Sequence, residues 1–294
     1  MIPYGFAYQA PASLPAVLAA LADDPDGTVL LAGGSWVVPS LARGDRVART
    51  VLDLRRAGLA GVTVTDGRVR LGACTTYAQL TGSPALAAAA SVLPLMAEGI
   101  TGGPQIVRRG TIGGAAVAAR PGSDVPAVLT MLDAVADVAG PTGTRSVPAH
   151  DLWPDAFTTT LAPDEVLVGF QLDALPAGTG CGYVKLKHST SSWPIVTAAA
   201  SIQLDPTGAC RQARLAIGGA GRAPFRVQLA GVLSGQQVDE AALRAAAQAA
   251  GLALTHAWDD ELAPAAYRAA VTPVAASRAL TAALAAATAD REPS

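Results

Sequence analysis

Lysine is almost absent from this chain. Of 21 basic residues all but Lys185 and Lys187 are arginine. A general bias towards arginine and alanine explains the nineteen arginines, but not two lysines kept two positions apart. Cysteine is as scarce: Cys74, Cys181 and Cys210 lie far apart and form no C-x-x-C. That argues against an iron–sulfur cluster or a structural zinc held within this chain. His150, His188 and His256 are equally scattered, and each reads as structural rather than as a metal ligand. Charged residues make up only 15%, with a net charge of −2 and no basic cluster, so nucleic acid is not an expected partner. Aromatics are 4%. No run reaches the ~20 unbroken apolar residues of a spanning helix. The longest candidate, 85–97, is built of small residues and broken by Pro94. The mean hydropathy of +0.35 reflects alanine, and no membrane span is expected. The opening MIPYGFAYQAP lacks the basic-then-apolar order of a signal peptide, which predicts a cytoplasmic, reduced protein. No G-x-G-x-x-G follows a strand, so nothing supports a Rossmann-type nicotinamide site.

What the chain does have is paired glycines. The stretch 102–126, GGPQIVRRGTIGGAAVAARPGSDVP, centres on Thr111-Ile112-Gly113-Gly114. Paired glycines permit positive φ and close backbone approach to a ligand. Successive N–H groups in such a turn form a nest for an anion, most often phosphate. A second site, Ala32-Gly33-Gly34-Ser35, follows the strand-like run ending at Leu31. Two such turns, each beside a small hydroxyl residue, suit a diphosphate held from two sides. Ser123 or Asp124 is positioned to cap the apolar helix beginning at Val125.

In chain order, Leu14, Val17, Leu18 and Leu21 have helical spacing behind Ser13. Strands are predicted at 29–32 and 50–54. Residues 62–64 and 69–71 read as a hairpin around Asp66-Gly67. Short helices are expected at 76–80, 83–90 and 125–132. Strands follow at 134–139, 144–147 and 164–172, with 148–161 loop-like. Leu175 to Gly180 is the clearest linker. Beyond it come strands at 181–187, 195–204 and 210–217, then helices at 239–250 and 273–287. The tail from Ala289 reads as frayed. At 294 residues the chain is long enough for about two domains, expected at 1–176 (subdomains about 1–55 and 56–176) and 181–288. Strands followed by helices in the second part predict an α+β layer.

Laid out this way, the chain resembles the FAD-binding medium subunits of the molybdenum hydroxylases, the carbon monoxide dehydrogenase and xanthine dehydrogenase relatives. The likeness covers essentially the whole length. It rests on Pro3-x-x-Phe6-x-Tyr8, Ala32-Gly33-Gly34-Ser35, Gln105-Ile106 through Arg109-Gly110-Thr111-Ile112-Gly113-Gly114, and Asp124-Val125-Pro126. Tyr183-Val184-Lys185-Leu186-Lys187, Ile217-Gly218-Gly219 and Tyr267-Arg268 complete it. The second glycine loop is the most specific of these motifs. The chain departs from the family pattern in two places. Ala115 stands where the family has Asn, removing a hydrogen bond typically worth ~0.5–1.5 kcal/mol. Trp36 stands where smaller or polar residues are common.

The resemblance implies a vanillyl-alcohol-oxidase-type (PCMH-like) FAD-binding domain in two subdomains, then an α+β domain of the CO dehydrogenase flavoprotein type. It implies FAD held by Leu31, Ala32, Gly33, Gly34, Ser35, Trp36, Thr101, Gly102, Thr111, Gly113, Gly114, Ala115, Asp124, Leu167, Lys185 and Trp193. Asp124 would bond a sugar or ribityl hydroxyl, and Lys185 would sit by the flavin's pyrimidine side as the catalytic cation. It also implies a large subunit with the molybdopterin cofactor and a small subunit with two [2Fe-2S] clusters, as a dimer of heterotrimers. Electrons would pass from the clusters through the flavin to an external acceptor. A self-contained flavin oxidase and a flavin-free assembly subunit are the alternative readings.

Overall fold

The computed structural model describes residues 2–289, so the predicted frayed tail lies, apart from Ala289 itself, outside the described residues. The chain opens with β1 (Ala7–Gln9), α1 (Leu14–Ala22), β2 (Thr28–Leu31), α2 (Val37–Arg43) and β3 (Thr50–Asp53). The strands form a parallel three-stranded sheet in the order β1-β3-β2. Helix α1 begins where expected. Ser13 caps it through the Ala16 N–H, Pro15 occupies its first turn, and Val17 and Leu21 are buried. β1 is not legible in the sequence, because three exposed residues carry no alternation. Pairing with β3 makes it a strand.

The second subdomain holds β4 (Val62–Thr65), β5 (Arg68–Gly72), α3 (Tyr77–Thr81), α4 (Pro84–Ala89), α5 (Val92–Glu98), α6 (Gly103–Arg109), α7 (Ile112–Val117), α8 (Val125–Met131), β6 (Val135–Gly140), β7 (Gly143–Pro148), α9 (Ala149–Leu152) and β8 (Val166–Asp173). Its antiparallel sheet runs β4-β5-β8-β6-β7. The β4–β5 turn has φ of 52° at Asp66 and 73° at Gly67, the two positive values a tight hairpin demands. Phe170, Leu71, Leu93, Met96 and Leu129 form the core between sheet and helices. The glycine-rich stretch is more helical than its sequence suggests: α6 and α7 are both short helices, so Gly113 and Gly114 belong to a helical first turn and neither has positive φ.

The third unit contains β9 (Thr179–Leu186), β10 (Val196–Leu204), β11 (Cys210–Gly218), β12 (Phe225–Arg226), α10 (Glu240–Ala253) and α11 (Ala265–Ala289). Its sheet is antiparallel, β12-β11-β10-β9. A Cβ at Gly180 or Gly182 of β9 would collide with the backbone of Ala279, Ala283 or Ala287 on α11. The helix offers only methyls at these four-residue steps, so strand and helix backbones nearly touch. α11 starts earlier than the expected 273. Pro273 lies inside it, against Gly251 of α10, where a Cβ would stand 3.0 Å from the proline ring. By length and composition alone α11 is apolar enough to cross a membrane. Its Ala275, Ala276, Ala279, Leu280, Ala283 and Ala287 are buried, most of them within the second core, which marks a core helix.

Arg268 on α11 has no exposed surface. It donates to the carbonyls of Gly219 (2.7 Å) and Ala263 (3.3 Å), to Ile195 O, and to the Asp260 carboxylate. Gly219, with φ of 74°, turns the chain so that its carbonyl meets the guanidinium. The Ile217-Gly218-Gly219 and Tyr267-Arg268 motifs are therefore two halves of one buried joint.

At the other end, Asp53 is 2% exposed and accepts from Tyr8 Oη (2.6 Å), from the Arg55 backbone N–H (2.9 Å) and from the Arg55 guanidinium. Burial alone would raise its carboxyl, but the bonds from Arg55 and Tyr8 outweigh burial and hold it at about 2. The folded value lies below the unfolded one, so the stability it gives is complete above about pH 4 and fades as pH falls towards about 2. Arg55 is half exposed and partly screened by water, so the contribution is at most about 2 kcal/mol. Acid titration of unfolding free energy is expected to show this loss in the wild type. In Asp53→Asn the corresponding portion of the acid slope disappears.

Candidate functional site

A cleft of about 850 Å³ opens between the three-stranded sheet and the second subdomain, with the third unit on its rim. Its walls include both glycine segments. Gly33 rests directly on the second segment, where a Cβ would strike the Arg109 carbonyl, with Gly110 Cα 3.1 Å away. Gly110 in turn leaves room for the Tyr77 ring, 2.8 Å from where its Cβ would be. The two segments are thus packed backbone to backbone, and glycine is required at the contact.

Their N–H groups are used differently. In the second segment Ile112 donates to Thr75 O, Gly113 to Ala73 O, Gly114 to Thr111 Oγ1 and Ala115 to Thr111 O. The nest expected there is already filled by the protein itself. In the first segment, among the described residues, the N–H groups of Gly33, Gly34, Ser35 and Trp36 meet no protein acceptor. Gly34 has φ of 75°, which turns this loop. The free donors therefore lie on one wall, and the other presents Gly114, the Thr111 hydroxyl and Ala115.

Asp124 does not cap α8. Its carboxylate instead accepts from Tyr183 Oη at 2.5 Å and from Lys185 Nζ at 3.0 Å, both on β9. Lys185 also donates to Gly99 O at 3.2 Å. The Asp124 and Lys185 side chains are only 6% and 7% exposed. Burial pushes the Asp124 carboxyl up, while the Lys185 ammonium and the Tyr183 hydroxyl pull it back down. Asp124 remains on the cleft wall, whereas Lys185 is behind it and does not line the cleft.

Of the residues implicated by sequence, all but Leu31 and Lys185 line this one cleft: Ala32, Gly33, Gly34, Ser35, Trp36, Thr101, Gly102, Thr111, Gly113, Gly114, Ala115, Asp124, Leu167 and Trp193. Leu31 ends β2, with its neighbours Leu30 and Ala32 on the wall in its place. Tyr77, Ile106, Arg120 and Phe157 also line it without having been implicated. Arg120 stands in the glycine-rich stretch 102–126, so its place in the chain is a signal for it. Tyr77 and Phe157 reach the wall only through packing, and no spacing rule marks them.

A large cleft with four unclaimed backbone donors on one wall, glycines where side chains would fill it, and apolar Leu167 and Trp193 among its lining suits an elongated dinucleotide with a diphosphate centre. In this α+β fold, the arrangement defines an FAD-binding protein of the vanillyl-alcohol-oxidase type. Residues 4–173 match the FAD binding domain in molybdopterin dehydrogenase, and residues 182–283 match the CO dehydrogenase flavoprotein C-terminal domain. The chain is 35% identical over 273 residues to the carbon monoxide dehydrogenase medium chain of Afipia carboxidovorans, covering 91% of this chain and 93% of that one. It is 31% identical over 232 residues to the xanthine dehydrogenase FAD-binding subunit of Escherichia coli O157:H7, covering 75% and 76%. Reconstituted CO dehydrogenase from Oligotropha carboxidovorans superimposes with a TM-score of 0.92 at 32% identity, covering 97% of this chain and 100% of that one. The chain belongs to the FAD-binding subunits of the molybdenum hydroxylase family, and it is the flavoprotein component of an oxidoreductase.

Adding a methyl at Gly33 must push the two glycine segments apart. Gly33→Ala is therefore expected to lose bound FAD during purification while keeping the wild-type far-ultraviolet circular dichroism. Flavin absorbance per chain after gel filtration checks this, and full flavin occupancy would break the assignment of the first segment.

Proposed function

We propose that this subunit relays electrons rather than oxidising a substrate itself. The observation that carries the proposal is the state of the carboxylates on the cleft wall. Asp45 is paired with Arg43 at 2.6 Å, Asp124 with Lys185 at 3.0 Å, and Glu165 with Arg145 at 2.6 Å. No histidine lines the cleft among the described residues. Proton abstraction from a substrate needs an unengaged base within reach. Among the described residues no unpaired carboxylate lines this cleft, and burial pushes the Cys74 thiol and the Tyr77 hydroxyl up, away from a basic role. When bound, FAD supplies the ability to take up electrons singly and release them singly or in pairs.

The chain's own residues then have three tasks. The free N–H groups of Gly33 to Trp36 hold the diphosphate. Asp124 accepts a hydroxyl of the cofactor while Lys185 and Tyr183 keep its carboxylate in place. Lys185 is a positioning residue in this reading, acting through Asp124. Leu167, which is buried, would give the flavin an apolar wall that excludes water. The electrons would be supplied by a small partner subunit carrying [2Fe-2S] clusters, together with a molybdopterin-bearing large subunit, in a dimer of heterotrimers. Relatives named for carbon monoxide, nicotine, xanthine and glyceraldehyde share this subunit type, which supports placing substrate choice on another polypeptide.

The test is native purification of the tagged chain. Molybdenum and iron are expected to co-purify with it, and substrate is expected to bleach the flavin in the complex but not in the isolated chain. Substrate-dependent bleaching of the isolated FAD-loaded chain would replace the relay with an oxidase.

The role of Lys185 has its own readout. Lys185→Met removes the charge that opposes burial at Asp124, so the carboxyl takes up its proton at a higher pH. As the pH is lowered, FAD affinity is expected to fall at a higher pH in Lys185→Met than in the wild type, while that of Asp124→Asn stays flat. Flavin fluorescence titrations over a pH series measure all three. A wild-type affinity and pH profile in Lys185→Met would separate the pair from cofactor binding.

A further inference from the structure

Arg120 is the unusual cation of the cleft. It follows α7, on the approach to Asp124, and is half buried. Its guanidinium carbon lies 5.0 Å from the centre of the Trp36 ring and 4.6 Å from that of Trp193. Trp36 directly follows the first glycine segment, and Trp193 comes from the loop between β9 and β10, so the stack bridges the FAD domain and the third unit. All three residues line the cleft. Among the described residues the Arg120 side chain makes no hydrogen bond and no ion pair; only its backbone carbonyl is used, accepting from the Ser123 N–H. Asp260 acts on it only through space and is already held by Arg268 and Trp258. Its nitrogens are not sealed from solvent.

The remaining charges of the cleft make this pointed. Arg43, Asp124 and Glu165 are each neutralised by a partner. That leaves Arg120, with the exposed Arg46 at the rim, as cationic charge without an acid beside it. A half-buried guanidinium whose solvent-open N–H groups no protein acceptor claims can exchange water for an anionic ligand. Stacking on indoles fixes the guanidinium plane and leaves its N–H edges free, the geometry that grips a phosphate through two parallel bonds.

We propose that Arg120 is a diphosphate-binding residue, presented by Trp36 and Trp193 to a nucleotide diphosphate in the cleft. The proposal rests on the cofactor assignment and adds a charged contact to a site otherwise built from backbone donors. Two sources share this chemistry: the diphosphate of FAD itself, and that of a dinucleotide electron acceptor arriving after FAD has bound. It also gives a purpose to Trp36, which departs from the family pattern.

The experiment uses the full chain in two forms, stripped of flavin and reloaded with FAD, with calorimetric titration of each. The variants are Arg120→Met, which keeps the stem, and Arg120→Lys, which keeps the charge. If FAD is the source, stripped Arg120→Met binds FAD and ADP about tenfold to a hundredfold more weakly, as losing a charged hydrogen-bond partner entails. It binds riboflavin, which has no phosphate, as the wild type does. Arg120→Lys recovers part of the ADP affinity. If a dinucleotide acceptor is the source, the stripped variants bind FAD and ADP normally, and the FAD-loaded Arg120→Met loses affinity for ADP-ribose. Unchanged affinity for FAD, ADP and ADP-ribose in all forms overturns the proposal. Equal loss of riboflavin and ADP binding in both variants also overturns it, since the stack would then be purely structural. Failure of the electron-relay reading has a different signature, substrate-dependent bleaching of the isolated chain, and leaves these titrations intact.

Discussion

One buried carboxylate joins the parts of this molecule that matter for its chemistry. Asp124 immediately precedes α8 in the FAD domain, and both of its partners, Tyr183 and Lys185, are on the first strand of the third unit. An ion pair removed from water is held only if its geometry is good and its remaining donors are satisfied. Here the hydroxyl and the Gly99 carbonyl complete the set. Two packed units therefore meet at a polar joint directly behind the cofactor cleft. A change in how they sit would be felt at the cleft wall through Asp124. The scarcity of lysine acquires a physical reason at this joint. A compact ammonium can bond a carboxylate and a carbonyl at once in a small buried space, where a planar guanidinium needs more room.

The paired glycines do three separate jobs. Gly34 supplies a positive φ. Gly33 allows one segment to lie on the backbone of the other, and Gly113 allows α7 to start against Ala73, whose Cβ would be 2.5 Å from an added methyl. Close backbone approach uses up backbone donors, because buried N–H groups must be paired. The second segment meets that demand with nearby carbonyls and the Thr111 hydroxyl. The first segment, among the described residues, keeps four donors to spare. The two similar-looking motifs thus differ in how far the fold itself uses their N–H groups.

The third unit shows how a chain poor in aromatics and large apolar residues still forms a core. Gly180 and Gly182 face Ala279, Ala283 and Ala287 at a separation that excludes any larger side chain. Dispersion contacts between closely packed backbones and methyls replace the bulk of large side chains. Arg268 closes the end of that core by bonding the Ile195 and Gly219 carbonyls, just outside β10 and β11.

Local sequence alone decided much of this protein. The hairpin at Asp66-Gly67, the Ser13-capped helix and the strands of the third unit follow from turn chemistry, capping and periodicity, which act over a few residues. Of the residues that the family resemblance implicates, all but Leu31 and Lys185 line the cleft. Tertiary structure decided the rest, because it depends on groups distant in sequence. Whether an N–H in a glycine turn is free depends on whether Thr75 or Ala73 lies opposite it. Whether Asp124 caps a helix or binds a lysine depends on where β9 packs, fifty-nine residues away at Tyr183. Pro273 reads as a helix start, yet sits mid-helix because Gly251 leaves space for its ring. Arg120 looks like any surface arginine until folding sets two indoles against it and leaves it no carboxylate partner.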